Sequence, residues 1–559
     1  DSFANSRISQ SYATAAVKGT FEVGGLVGRQ NGGNISQSYA TGAVTGATQV
    51  GGLVAYQDPN YSSITNSYWN TETTGQATSA GGGTGLTTAQ MFSADSFTGF
   101  EFGEVWGNAG DQTTPYLLGL SGNQVFNRHD LPTGAITASN RPDAYNVILT
   151  LQQLQAINSG LTSNYVLGAD IDASATAGWN SGAGFVPIGD DANRFSGVFD
   201  GLGHVISGLL IDRNASDHTG LFGFTNGATL RQVGLDGVDV RGSRYVGGLV
   251  GYSRYSNITQ SYVSGVVQGL ENVGGLIGYQ EDGDTSQSYA ASSVQGSRYV
   301  GGLLGWSERA LIRESYAVGS VAGDDAIGGL VGLNRGGIRN SYATGAVAGG
   351  TYVGGLVGRT YFAIFDSHWD SASTGQIGSG TSGGVAEVTA SNRYNHSAYQ
   401  NLGTWEQLYG DVYIAKDGSG NPTWAMIEGS TRPFLYSEYS TTIRNAHQLQ
   451  LAALDLTADY TLAADIDASI ANGSNDSGMW SSAGFDPIGD DANRFSGVFD
   501  GLGHVISDLF IDRGAADCLA RPMALRCVMW GWKISMLLGR AMLVAWSGIN
   551  LMVISAMPT

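Results

Sequence analysis

The chain has 559 residues with 85 glycines, roughly twice ordinary usage, and its 42% hydrophobic content excludes a disordered acidic chain. Charged residues make up 13% and the net charge is −20, with lysine only at Lys18, Lys416 and Lys533. No basic face for nucleic acid or anionic lipid can be built from that set. Abundant Gly, Ser, Thr, Asn and Tyr favour strands and turns over helices.

Residues 1–130 read as the end of a first repeat module. The chain starts without Met, inside a repeat, because Ile8-Ser9-Gln10-Ser11-Tyr12-Ala13-Thr14 matches Ile35-Ser36-Gln37-Ser38-Tyr39-Ala40-Thr41. We therefore read it as a fragment whose export signal lies elsewhere. Val23-Gly24-Gly25-Leu26-Val27-Gly28 recurs from Val50, Val246, Val273, Val300, Ile327 and Val353, with spacings of 26 or 27 residues inside each array. Each copy precedes an apolar residue, a Ser-Tyr pair and a Gly-x-Val element, giving about three short alternating runs per repeat. One such unit cannot bury its own apolar side. Stacked as coils about 4.8 Å apart, successive units pair every backbone edge and build a continuous core.

Residues 131–436 form one complete module: a lead-in over 145–215, repeats over 216–370 and a closing segment over 371–436. Residues 437–517 begin a third module. Ala183 to Arg213 reappears at Ala483 to Arg513 with three differences, which sets a longer period of roughly 300 residues. The glycine pairs Gly247 and Gly248, Gly274 and Gly275, and Gly301 and Gly302 fit corners that need either φ > 0 or close backbone contact. Tyr12, Tyr39, Tyr262, Tyr289, Tyr316 and Tyr342 fall in a ladder along one face, read as structural stacking in preference to a ligand platform. Arg241 to Tyr245, Asp282 to Thr285 and Ser297 to Tyr299 vary between repeats, which makes them the places for ligand contact.

Residues 518–559 change character, and both cysteines, Cys518 and Cys527, lie there. The first 517 residues offer no disulfide framework and no cysteine metal site. One reading of the tail is a membrane anchor, since Ala541 to Thr559 is uncharged and near the length that spans a bilayer. The favoured reading is a shifted reading frame. Met and Trp have single codons, so a one-base shift turns Met529-Trp530-Gly531 into Val-Gly, Trp532-Lys533 into Glu and Met523-Ala524 into Gly. The shifted string is compatible with the sequence at Thr225 to Asp236, and Ala541 to Asn550 can encode one more glycine repeat.

The Gly-Gly-Leu-Val-Gly repeat with its Ser-Tyr-Ala-Thr-Gly continuation resembles the GLUG motif. The Asp-Ile-Asp-Ala-Ser … Phe-Asp-Gly-Leu-Gly-His-Val-Ile-Ser segment is similar to the lead-in of filamentous-haemagglutinin-like surface proteins. The resemblance covers Asp1 to about Arg513 and implies an all-β, right-handed parallel β-helix (β-solenoid), exported by bacteria and acting as an adhesin. GLUG repeats also occur as accessory parts of immunoglobulin-A-cleaving metallopeptidases, whose His-Glu-x-x-His motif is absent here.

Asp200 and His204, repeated as Asp500 and His504, are the best catalytic-looking pair. A glycosidase needs two carboxylates about 5–10 Å apart, and a His can act as general base. The Asp-Gly-Leu-Gly-His string reads more simply as a turn, and no catalytic residue is assigned. Asp190, Asp191, Asp490 and Asp491 are weak candidates for Ca²⁺, too few to fill its six to eight positions alone. His129, His218, His396 and His447 are scattered without metal-ligand spacing. The expected function is a non-catalytic, secreted or cell-surface adhesin or matrix protein. Its partners would be host or neighbouring cells, a glycan or protein receptor, or itself, with no nucleic acid and no membrane insertion of the repeats. The alternatives are a carbohydrate-active β-helix enzyme and the accessory region of a secreted metallopeptidase.

Overall fold

The computed structural model describes residues 6–137, 140–376, 385–472, 476–490, 492–512, 543–547 and 550–554. The chain is an all-β parallel solenoid whose coils follow the sequence repeat. It divides into two compact units, residues 1–171 with 197–204 and residues 172–196 with 205–559. That division falls inside the lead-in 145–215.

In the first unit, Arg7–Ala13 pairs in parallel with Gly33–Ala40, Ile8 facing Ile35 and Tyr12 facing Tyr39. Phe21–Gly24 pairs with Thr48–Gly51 and Val27–Gln30 with Val54–Gln57, again in parallel. Gln124–Phe126 runs antiparallel to Ala144–Ile148, which pairs in parallel with Asn164–Leu167.

In the second unit the same plan runs through more coils. Arg244–Gly247, Glu271–Gly274, Arg298–Gly301, Asp325–Gly328 and Thr351–Gly354 form one parallel sheet. A second face stacks Phe222–Asn226, Val250–Arg254, Ile277–Glu281, Leu304–Arg313, Val331–Arg339 and Val357–Thr360 in register. A third stacks Tyr262–Gln268, Tyr289–Gln295, Tyr316–Ala317, Tyr342–Ala343 and Ser367–Asp370. Val246, Leu249, Ile258, Val263 and Val267 are fully buried, as are their equivalents Val273, Leu276, Val300, Leu303, Ile327 and Leu330. The core is thus a set of aliphatic columns, one residue per coil.

The glycine pairs serve close approach. A Cβ on Gly275 would lie 2.2 Å from the Gly302 carbonyl oxygen, and one on Gly302 would lie 2.1 Å from that of Gly329. Gly274 and Gly301 are closed off in the same way by Ile277 O at 2.1 Å and Leu304 O at 2.0 Å. Gly247 and Gly248 complete the set, with Val250 O at 2.3 Å and Val263 Cγ1 at 2.4 Å. The left-handed corners fall elsewhere, on non-glycine residues such as Gln232, Gln260, Gln287 and Glu314 at φ 47–52° and on other glycines such as Gly227 and Gly283. The glutamine side chains bond from coil to coil, Gln260 Nε2 donating to Gln287 Oε1 at 3.0 Å and Gln287 Nε2 to Glu314 Oε2 at 2.9 Å. In the second unit the serines of the Ser-Tyr pairs, Ser261, Ser288, Ser315 and Ser341, are buried. Ser315 Oγ accepts from Ser288 N at 3.3 Å and donates to the Arg313 carbonyl at 2.8 Å, so it satisfies the corner backbone.

After the coils, Thr404–Tyr409, Val412–Lys416, Pro422–Ile427 and Phe434–Leu435 make an antiparallel sheet. Further along, Thr442–Ile443, Tyr460–Leu462 and Phe499–Asp500 pair in parallel. Gln448-Leu449-Gln450 lies in a short helix, Ala446–Leu451, capped by Asn445. The tail read as out of frame lies outside the described residues, apart from Leu543–Ser547 and Asn550–Ile554, which pair antiparallel. Among the described residues no helix is long and apolar enough to cross a membrane.

Candidate functional site

The Asp-Gly-Leu-Gly-His stretch is a turn in both copies. Leu202 and Gly203 have φ of 50° and 78°, and Leu502 and Gly503 have 47° and 86°. His204 N donates to Gly201 O at 2.8 Å, and Leu202 N donates to Asp200 Oδ1 at 2.9 Å. The wholly buried Asp200 carboxylate also receives Asn127 Nδ2 at 2.7 Å and meets His129 Nδ1 at 2.9 Å. His204 Nδ1 meets Asp170 Oδ1 at 2.9 Å. In the second copy, His504 takes Asp465 at 3.2 Å, and the Val505 N–H together with His504 holds the Asp465 carboxyl below its usual range. These carboxylates act on the backbone and on imidazoles brought from other segments.

The Ca²⁺ candidates are turn residues too. Asp190 Oδ1 accepts from Ala192 N at 2.9 Å and Asn193 N at 2.7 Å, and Asp490 repeats this at 2.7 and 2.7 Å. Asp191 is exposed beside Arg194 at 3.4 Å, and Asp491 lies outside the described residues. Among the described residues no group of three or more His, Cys, Asp or Glu side chains could hold a metal ion.

The tyrosine ladder is the most regular feature of the second unit. Tyr262, Tyr289, Tyr316 and Tyr342 stack with centroids 4.9, 4.8 and 5.0 Å apart and planes within 3°. The closing segment and the start of the third module cover it. Tyr316 hydroxyl donates to Glu438 Oε1 at 2.9 Å, Tyr342 hydroxyl donates to Pro433 O at 2.6 Å, and Glu438 Oε2 meets His447 Nδ1 at 2.6 Å. Burial is the main reason that the hydroxyls of Tyr289, Tyr316 and Tyr342 titrate well above the usual range, with the Glu438 charge adding to it. In the first unit Tyr12 stacks on Tyr39 at 5.2 Å, and Tyr39 hydroxyl donates to Pro115 O. Pro115 and Pro433, at corresponding places in Pro115-Tyr116-Leu117 and Pro433-Phe434-Leu435, thus meet the ladder alike. The ladder is enclosed by the chain's own later residues.

Two buried features escaped the sequence reading. His368 takes the ladder position below Tyr342, and burial pushes its imidazole down to about 4, the Ala386 backbone opposing the shift. Asp370 receives two buried guanidiniums, Arg393 Nε at 3.0 Å and Arg432 Nη1 at 2.7 Å. Arg393 and Arg432 are both at most 3% exposed, and no local sequence pattern marks them.

Comparison with known proteins follows the same lines. The GLUG motif is matched at residues 19–45, 242–268 and 323–348. Halomucin of Haloquadratum walsbyi is 37% identical over 192 residues, 32% of this chain and 2% of that protein. A protein provisionally named a Gly-rich membrane protein, from Evansella cellulosilytica, is 36% identical over 111 residues, 19% of this chain and 13% of its own length. The chain therefore spans a small part of the curated relatives it matches. Among solved structures, one described as an immunoglobulin A1 protease from Bacteroides ovatus is 21% identical at a TM-score of 0.38, covering 50% of this chain and 91% of that one. A second IgA1 protease structure is 19% identical at a TM-score of 0.32, covering 43% of this chain and 21% of that one.

Proposed function

We propose that this GLUG-repeat protein is part of a secreted or cell-surface attachment protein, with the solenoid presenting repeated contact surface and doing no chemistry itself. The carrying observation is the register: outward positions recur one coil apart, Arg244 beside Glu271, Arg298 and Asp325, over the buried column of Val246, Val273, Val300 and Ile327. Each coil therefore adds one more contact position along the same face. Many weak contacts in a row give firm attachment without a deep pocket. Support also comes from the two relatives, halomucin and the Gly-rich membrane protein, whose names place them among surface-type proteins. The acidic, lysine-poor surface fits contact with neutral or polar partners better than with nucleic acid.

The test is to immobilise the chain on beads and measure retention on cells, on glycans and on a second bead population carrying the same chain. The supernatant is assayed for new reducing ends in the same experiment. Retention without product is expected. Polysaccharide cleavage that is lost in Asp200→Asn, with the fold intact, would replace this reading by the enzyme reading.

A further inference from the structure

Six successive coils of the second unit carry one left-handed residue at the same position: His218, Tyr245, Asn272, Tyr299, Ala326 and Tyr352, at φ 50–58°. Their equivalence follows from the flanking pairs Arg244 to Glu271, Arg298 and Asp325, then Thr351. Asparagine suits this conformation and tyrosine does not, because a bulky side chain there is strained. Yet tyrosine occupies alternate coils. Tyr352 is 58% exposed, so its ring is not held there by burial. Strained bulky residues that persist at one surface position point to a use for the side chain.

A second aromatic column runs beside the first. Tyr252, Tyr279 and Trp306 face each other in register, with Tyr252 and Tyr279 stacked at 4.7 Å. The columns touch, Tyr245 meeting Tyr252 edge-on at 5.3 Å and Tyr299 meeting Trp306 at 5.0 Å. Toward the later coils, Arg335 lies over Trp306 at 5.4 Å and Tyr361 at 4.8 Å, and Arg359 lies over Tyr352 at 4.9 Å. Hydrogen-bonding groups line the strip: Tyr252 hydroxyl donates to Glu281 at 2.8 Å and Trp306 Nε1 donates to Glu308 at 3.2 Å.

Most of the charges on this strip are paired, Arg359 lying instead over the Tyr352 and Tyr361 rings. Glu281 meets Arg254 at 3.3 Å and Arg309 at 2.8 Å, Asp282 meets Arg309 at 3.1 Å, and Glu308 meets Arg335 at 3.8 Å. An almost neutral, aromatic, hydrogen-bonding strip on a molecule of net charge −20 suits an uncharged polyhydroxylated ligand. Aromatic faces cover the apolar C–H faces of sugar rings, while fixed carboxylates and guanidiniums bind hydroxyls. The pitch agrees with this: coils rise by about 4.8 Å each, so tyrosines on alternate coils stand about 10 Å apart. That spacing is close to a disaccharide in an extended, β-linked glycan.

We infer that this strip binds an extended, uncharged polysaccharide lying along the solenoid axis, with Tyr299 and Tyr352 as its main rungs and Tyr245, whose one face is stacked on His218 at 5.1 Å, as a third. The inference rests on the attachment reading above and names the ligand class. It also gives a purpose to Arg241 to Tyr245 and Ser297 to Tyr299, the variable stretches that the sequence singled out for ligand contact.

The experiment compares the chain with the triple variant Tyr245→Asn, Tyr299→Asn, Tyr352→Asn. Asparagine is chosen because Asn272 already holds this backbone in the same sheet. Affinity electrophoresis and calorimetry use mixed-linkage β-glucan, arabinoxylan and hydroxyethylcellulose, with alginate and heparin as anionic counterparts. We expect at least one neutral glycan to bind and the anionic ones to bind at least tenfold more weakly. The triple variant should lose at least tenfold in affinity while its Tm holds or rises, and Leu270→Ala, on a neighbouring corner, should bind unchanged. Equal binding by the triple variant, preference for alginate or heparin, or no neutral glycan bound would overturn the assignment. If bead retention on cells persists equally in the triple variant, the attachment reading stands and the strip is not its contact surface.

Discussion

Tyr316 gives the sharpest test of how the ladder is covered. Its ring is fully buried between Tyr289 at 4.8 Å and Tyr342 at 5.0 Å, both nearly coplanar with it. Its hydroxyl donates to Glu438 Oε1 at 2.9 Å, an oxygen that also accepts from Leu435 N at 2.9 Å. Removing the hydroxyl alone in Tyr316→Phe takes one hydrogen bond from a largely buried carboxylate, worth about 1.5–3 kcal/mol. Removing the ring in Tyr316→Ala costs about 3–5 kcal/mol, as for other buried aromatics. Urea unfolding followed by circular dichroism and by tryptophan fluorescence reads both. Trp424 packs on Tyr316 at 6.2 Å, so the closing sheet contributes to the fluorescence together with the other ten tryptophans. Losses below about 1 kcal/mol for Tyr316→Ala would mean that the ring is not enclosed, and the covered-ladder account would fail.

Three further outcomes follow from the buried groups. His368 is held down to about 4 against an ordinary 6.5, so the unfolded chain binds the extra proton between those values. Stability contributed by the neutral imidazole is complete above pH 6.5 and falls by up to about 3 kcal/mol as pH drops toward 4. His368→Phe should lose less stability than the parent between pH 7.5 and 4.5, and equal losses would contradict this. Arg432→Met leaves Asp370 with less compensation and should cost about 3–5 kcal/mol in denaturant unfolding, a loss under 1 kcal/mol counting against the buried cluster. Gly275→Ala drives a Cβ to within 2.2 Å of the Gly302 carbonyl, so Tm should fall as for a loss of about 1–3 kcal/mol or more. Gly418→Ala, with nothing within 4 Å, should be near neutral, and similar Tm values for the two would refute close approach as the reason for the glycine pairs.

The coils were legible because the repeat is local: a Val-Gly-Gly at every 26 or 27 residues sets strand, corner and register together. The tyrosine ladder was legible for the same reason. What covers it was not, since Glu438 and His447 lie 122 and 131 residues from Tyr316. The choice at the glycine pairs, between φ and close approach, needed the neighbouring coil. The helix Leu151–Ala156 has six residues, too few for a 3.6-residue period to register, although Thr150 and Gln153 make a capping box. Asp200 drew attention beside His204 in sequence, whereas its partners Asn127 and His129 come from about 70 residues earlier. The aromatic strip joins residues that are adjacent only once the register is known.

The most direct test of the attachment account is retention and turnover measured on one surface. A film of neutral polysaccharide is exposed to the chain, the bound fraction is followed by quartz-crystal microbalance, and the solution is assayed for released oligosaccharide. The account predicts mass gain that persists on washing, with no oligosaccharide released. Progressive mass loss with oligosaccharide in solution, abolished by Asp200→Asn in a folded chain, would contradict it.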